Sequence, residues 1–362
     1  EWDELKQKVK KNHPNSARMN ASLAQKIADA EAQVADLERK VKTVSIKKIK
    51  EAIKGKEVPN FFEYAYKRME IIKSTVSYST YKAYYAAIVK FEKWVGTRDV
   101  YFDDFTVTLL NDYKNYLSKE LKNGLTTQRL SIIVLGTIFN QAIKEEIIPE
   151  TMFPFKKLTL KTDNTKRLFL NKDKILDLTQ LKLIEGKKAN LWRDLFLFSI
   201  YAGGLRFSDV IEMQYKHYNK NEQRISKLIR KTGRPHQFKI GKVAIDILEK
   251  YRKEGADNED YIFPVIEDKK GYERSESLRY FYTAKYNKLA NWHLKKLGEK
   301  MELPFKLSFH LSRHTFATNA LNNGMRIEHV SKLMDHQDIS TTQIYAKIIS
   351  EELDKAVDNY IF

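Results

Sequence analysis

The sequence predicts a mainly α-helical protein with one small antiparallel β-hairpin, divided between a helical bundle and a mixed α+β domain. Three observations predict it. Residues 17–43 carry apolar side chains at steps of three and four, and the pattern from Asn60 to about Pro154 is helical almost throughout. Residues 223–240 change character, with Arg224–Arg230 and Gln237–Ile240 flanking a Thr232-Gly233 turn. Pro149, Pro154 and the polar stretch Lys161–Arg167 separate the bundle from the C-terminal half of the chain.

Taken in order, the first helix carries the stripe Met19, Leu23, Ile27, Ala30, Val34, Leu37 and Val41. It is short for a coiled coil, so packing on the next domain is the expected use of that stripe. A basic connector, Ser45 to Val58, comes next. In the bundle, Ser79-Thr80 precedes a helix from Tyr81 to Val95, Thr106 one from Val107 to Leu121, and Thr126-Thr127 one from Gln128 to Ile147. Hydroxyl residues accept hydrogen bonds from the free N–H groups of a first turn, and Gly96 and Gly124 suit helix ends. Tyr64, Tyr66, Tyr78 and Tyr81, interleaved with Lys67 and Lys82, are read mostly as core or rim. Beyond the boundary, Arg167–Leu170 reads as a short strand leading into a helix from about Asn171. Asn190–Tyr201 is an apolar helix ending at Ala202-Gly203-Gly204, and helices resume at about Lys242 and from Ser275 to Gly298.

Composition limits the function. The 362 residues suffice for about two or three domains, and the 42% hydrophobic fraction is ordinary for a globular protein. There is no signal-peptide pattern and no apolar run near the length of a membrane span. Zero cysteine excludes disulfides, makes a structural zinc site unexpected and fits the reducing cytoplasm. A net charge of +18 favours a polyanionic partner, most simply nucleic acid, although lysine-rich surfaces also serve solvation alone. Because the chain begins with Glu1 rather than Met, a fragment or processed chain is expected.

One cluster carries chemistry. His310-Leu311-Ser312-Arg313 is followed by His336 and then Tyr345, gathering two imidazoles, a guanidinium and a phenol on what read as successive helices. A phenol can attack a phosphodiester and remain a moderately good leaving group for the reverse step. Arginines grip the non-bridging oxygens, and histidines donate or move protons near neutral pH. Tyr345 is one of 20 tyrosines, so its company and its place after Ser340-Thr341-Thr342 single it out.

Together with Gly204-Leu205-Arg206-Phe207-Ser208-Asp209 and the Lys231-Thr232-Gly233 turn, this order of elements resembles the tyrosine recombinase (phage integrase) family over roughly residues 165–350. The preceding bundle is similar to that family's core-binding domain. The resemblance implies a helical core-binding (SAM-like) domain at 58–160 and a mixed α+β catalytic domain with its C-terminal tail at 161–362. Residues 1–57 would then be a helix and connector belonging to an arm-site DNA-binding region lying mostly before Glu1. It implies Arg206 and Arg313 as clamps on the scissile phosphate, His310 and His336 as phosphate-binding or proton-moving groups, Lys231 as general acid and Tyr345 as nucleophile. Lys227, Arg230 and Lys239 are rivals to Lys231; His314 and His329 are read as structural, and Asp209 as holding local structure and orienting Arg206, with no catalytic step.

The implied reaction passes through a 3′-phosphotyrosyl link and a Holliday junction, with no cofactor and no metal. The implied partners are double-stranded DNA at core sites, a homotetramer on that DNA, and accessory DNA-bending and directionality proteins, with no membrane. Integration or excision of a mobile element is the leading reading. Chromosome dimer resolution of the Xer type, inversion, type IB topoisomerase activity and a catalytically silent DNA-binding role are the alternatives. The tail Ser350–Phe362 would dock on a neighbouring protomer or pack in cis.

Overall fold

A computed structural model describes residues 2–3, 6–10, 13–40, 58–161, 168–184 and 188–346, with backbone alone at 30 and 33–40. The chain divides into two compact units, Glu1–Asn164 and Thr165–Phe362. Among the described residues no helix is long and apolar enough to cross a membrane.

The first unit opens with two short antiparallel strands, β1 (Trp2–Asp3) and β2 (Lys8–Val9), followed by helix α1 (Ser16–Lys40). The Asn20 side chain ties strand to helix: its Oδ1 accepts from Val9 N at 2.7 Å and its Nδ2 donates to Val9 O at 2.9 Å. Two described residues of the apolar stripe of α1 are not covered as expected: Met19 is 45% and Ile27 55% exposed. Periodicity shows that a face is apolar, but not what meets it. Apart from Val58, the basic connector lies outside the described residues.

The bundle is α2 (Phe61–Ile72), α3 (Tyr78–Val95), α4 (Val107–Lys119) and α5 (Leu125–Lys144). Asn60, Ser77 and Thr106 cap the first three through their side chains, and Gly96 closes α3 in the left-handed region. Gly124, expected as a helix end, instead begins α5. Lys122 takes the positive φ after α4, and Gln128 Nε2 donates to Asn123 O, so the chain re-enters a helix before the threonines. The core is aromatic: Phe61, Phe91, Phe102, Phe105 and Phe139 are buried, with Phe102 and Phe139 edge to face at 4.8 Å. Such pairs add about 0.5–1.5 kcal/mol beyond their area burial. Tyr64, Tyr66 and Tyr81 line its rim.

The second unit is built around α7 (Lys188–Tyr201), preceded by α6 (Lys172–Gln180) with Asn171 as its cap. From Leu195 to Ile200 every residue of α7 is buried, because α9 (Lys242–Lys250), α11 (Glu276–Lys300) and α12 (Leu311–Asn322) surround it. The other elements are the short helices α8 (Phe207–Ile211), α10 (Lys269–Glu273), α13 (Ile327–Leu333) and α14 (Ser340–Ala346), and strands β3 (Tyr218–Asn219), β4 (Arg224–Leu228) and β5 (Pro235–Lys239). The hairpin is present, and β3 extends it to an antiparallel sheet of order β3-β4-β5 with Ile225 opposite Phe238 on its buried face.

Residues 168–170 form no strand. Both backbone groups of Leu170 are taken by side chains of α12: Thr315 Oγ1 accepts from its N–H at 3.0 Å and Asn319 Nδ2 donates to its carbonyl at 2.7 Å. No ladder position is left at that residue. The tail Ser350–Phe362 lies outside the described residues.

Candidate active site

The site begins where α7 stops. Gly203 and Gly204 both adopt φ +70, a conformation side chains resist, and turn the chain so that Arg206 stands at the start of α8. A Cβ on Gly204 would sit 3.0 Å from Phe316 Cδ1 and 3.4 Å from Arg313 Cα, so α12 lies directly on the turn. This contact seats Arg313, which is buried. Its Nη1 donates to Gly204 O, and its Nη2 donates to Met334 O at 2.8 Å and toward His336 Nε2 at 3.3 Å. Burial, reinforced by the charge of Arg206, pushes this guanidinium down to about 10, which leaves it charged at neutral pH.

His336 is delivered by the end of α13. The His336 N–H bonds back to Ser331 O at 3.0 Å and the Asp335 N–H to Lys332 O at 3.1 Å, a Schellman stop with Asp335 at φ +52. Arginine only donates, so His336 Nε2 accepts from Arg313 and Nδ1 carries the ring hydrogen, donated to Thr342 Oγ1 at 2.8 Å. Burial, then the charges of Arg313 and Arg206, push the imidazole down to about 4, and Lys231 adds to the depression. His336 is therefore neutral in the free protein.

Lys231 is exposed in the turn between β4 and β5, where Gly233 takes φ +66. Two of its rivals are committed elsewhere. Lys227 is buried, donates to Asp209 O at 2.7 Å, and is pushed below its usual range by burial. Arg230 donates to Glu212 Oε1 at 2.7 Å. Lys239 is exposed on β5. Asp209 holds local structure as the sequence suggested, but through the hairpin rather than Arg206: fully buried, it accepts from Arg230 N at 3.0 Å. The partner of Arg206 is Asp335, at 3.4 Å from Nη1 to Oδ2.

His310, His314 and Tyr345 form a second group of contacts around α12. His310 is exposed at the N-terminus of α12, its ring edge-on to His314 with centroids 4.6 Å apart. Tyr345 on α14 is 6% exposed, and its hydroxyl is hydrogen-bonded to His314 Nδ1 at 2.8 Å. Arg206, Arg313 and His336 thus form one charged cluster, with Lys231 near enough for its charge to act on His336 and Tyr345 near enough to act on Arg313.

Sequence reasoning misses two residues here. His314 reads as structural, although its spacing of four from His310 puts both on one helix face. Asp335 carries no signal except that a non-glycine stands between the helix and His336.

Comparison with known proteins places the family. The Phage integrase family model matches residues 168–352, the Phage integrase SAM-like domain matches 60–159, and the Arm DNA-binding domain matches 1–50. The arm-type similarity thus falls on the N-terminal strands and helix themselves. Tyrosine recombinase XerA of Pyrococcus horikoshii is 27% identical over 261 residues, 71% of this chain and 82% of its own length. Tyrosine recombinase XerC of Pediococcus pentosaceus is 24% identical over 82% of this chain and 96% of its own. In fold, the chain resembles the Tn1549 transposon integrase in complex with transposon right end DNA (TM-score 0.62, 16% identity, 84% of this chain and 100% of that one). It also resembles a lambda integrase dimer bound to a core site (TM-score 0.56, 17% identity, 89% and 86%). A family match over half the chain, on the unit that assembles two arginines, a histidine pair and a buried tyrosine, leaves one conclusion: this chain belongs to the phage integrase family, the tyrosine recombinases that carry out site-specific DNA recombination.

Proposed function

We propose that the chain cuts and rejoins double-stranded DNA at core sites for integration or excision of a mobile element, with Tyr345 as nucleophile. The observation that carries this reading is the clustering of Arg206, Arg313 and His336, with the buried Tyr345 near enough to act on Arg313. Arg206 and Arg313 hold the non-bridging oxygens of the scissile phosphate, where two guanidiniums stabilise developing charge without moving far. Tyr345 Oη bonds to phosphorus as the bond to the 5′-oxygen breaks, and Lys231 protonates that oxygen. His310 and His336 bind the phosphate and move protons. The 5′-hydroxyl of a second strand reverses the step, making and then resolving a Holliday junction. Each exchange replaces one phosphodiester by another, so the reading needs no ATP.

The net charge of +18 supports the DNA partner, and the cysteine-free composition supports a cytoplasmic setting. A homotetramer on DNA, with accessory bending and directionality proteins, belongs to the same reading. The arm-type match at residues 1–50 favours the mobile-element role, in which arm and core sites are held together. The Xer relatives favour chromosome dimer resolution as the second reading.

A nicked suicide duplex carrying the core site tests the chemistry. An adduct resistant to SDS is expected from the native protein and none from Tyr345→Phe; an adduct surviving that substitution would remove Tyr345 from its role. Arg313→Ala should abolish the adduct while largely sparing DNA binding, because many other basic residues hold the backbone. Equal losses of both would contradict the clamp.

A further inference from the structure

The residue before His336 is a carboxylate in a place where the backbone favours glycine. Asp335 occupies the left-handed position that ends α13, at φ +52, where a Cβ costs about 1–2 kcal/mol. Its side chain is 8% exposed and fully engaged. Oδ2 accepts from Thr232 Oγ1 at 2.7 Å and Oδ1 from Arg234 Nη2 at 2.6 Å, both on the hairpin turn. Arg206 Nη1 is more distant, at 3.4 Å. A second tie runs alongside, from His236 Nε2 on β5 to Leu333 O at 3.0 Å. Thr232 directly follows Lys231, so the carboxylate grips the hairpin one residue from the proposed acid.

We propose that Asp335 is a positioning residue that acts through Lys231. It fastens the hairpin tip to the segment delivering His336, so the Lys231 ammonium is held over the position where the 5′-oxygen departs. This rests on the reading of Lys231 as general acid. Asp335 takes no proton itself: the proton passes from Lys231 Nζ to O5′ as the P–O5′ bond breaks. A role confined to stopping the helix does not account for it, since glycine would do that without strain. A role confined to neutralising Arg206 would put the short bonds on Arg206, and they lie on the hairpin.

The test compares DNA carrying an ordinary scissile phosphate with DNA carrying bridging 5′-sulfur there. A thiolate leaves readily without protonation, because its conjugate thiol is far more acidic than an alcohol. Asp335→Gly removes the carboxylate and suits the left-handed backbone; Thr232→Val removes one bond and leaves the stop intact. On ordinary DNA, adduct formation should slow about 100-fold in Lys231→Ala and by a comparable factor in Asp335→Gly, the size of a general-acid contribution. A smaller loss is expected in Thr232→Val. On the sulfur substrate all three should approach the native rate, whereas Arg313→Ala stays slow on both.

Rescue of Lys231→Ala without rescue of Asp335→Gly and Thr232→Val would overturn the role of Asp335 while leaving Lys231 as the acid. Failure to rescue Lys231→Ala would remove the acid assignment, and the proposal with it. Native rates on ordinary DNA in both hairpin-tie variants would also overturn it.

Discussion

Acidification should weaken the fold through His336 by an amount the structure sets. The ring titrates near 4 in the folded protein, against 6.5 for an unperturbed histidine. Above pH 6.5 both states are neutral and the group contributes nothing to the pH dependence. Between 6.5 and 4 the unfolded chain takes up a proton that the folded chain refuses, so stability falls as pH falls; below 4 the loss is complete. At about 1.4 kcal/mol per unit the difference amounts to about 3.5 kcal/mol at most. The ring is only half-buried and solvent screens it, which reduces the expected loss to about 1–2 kcal/mol. His217 is also held near 4 and shares this window, so the native protein alone does not isolate the effect. His336→Asn does, because an amide can meet Thr342 and Arg313 without titrating there. Urea unfolding at pH 7 and pH 4.5 should show the native protein losing about 1–2 kcal/mol more than the variant. Equal losses would refute the argument that two guanidiniums and burial keep this imidazole neutral.

Other outcomes rest on the same geometry. A phosphate between Arg206 and Arg313 should restore the basicity of His336, so DNA binding takes up a proton. In a Tyr345→Phe background, affinity for core-site DNA should rise on going from pH 7 to pH 5.5 by more than it does when His336→Asn is added, and identical slopes would contradict the link. Gly204→Ala should cost about 2–3 kcal/mol in urea unfolding, from the φ +70 backbone and the 3.0 Å contact with Phe316, and should abolish the covalent adduct by displacing Arg313. An unchanged denaturation midpoint would show that α12 does not rest on that turn. His314→Ala removes the hydrogen bond to the Tyr345 hydroxyl, and adduct formation should slow about 10-fold, the factor for one buried hydrogen bond of about 1.4 kcal/mol, with DNA affinity unchanged. Faster adduct formation would make that bond a restraint on the nucleophile.

The parts of the fold readable in advance are those decided by a few neighbouring residues. Thr106 caps α4 because its own side chain reaches Leu109 N, and Gly96 ends α3 because its own backbone turns left-handed. The Thr232-Gly233 turn and the double glycine after α7 are local in the same way, and they place Lys231 and Arg206. The features that escape depend on partners far along the chain. Leu170 reads as a strand residue until Thr315 and Asn319 claim its backbone. Met19 and Ile27 read as buried because periodicity cannot tell a covered stripe from an open one. The same reason hides Asp335 and His314 within the site. His314 is an ordinary helix residue and Asp335 stands just past a helix end, and each gains a role only when another element, α14 for the first and the hairpin for the second, arrives at hydrogen-bond distance. The groups proposed to touch the phosphate are named from residue type and order. The groups that hold those in place are not, because orientation belongs to the packing of α12, α13 and the hairpin against one another and has no signature along any one of them.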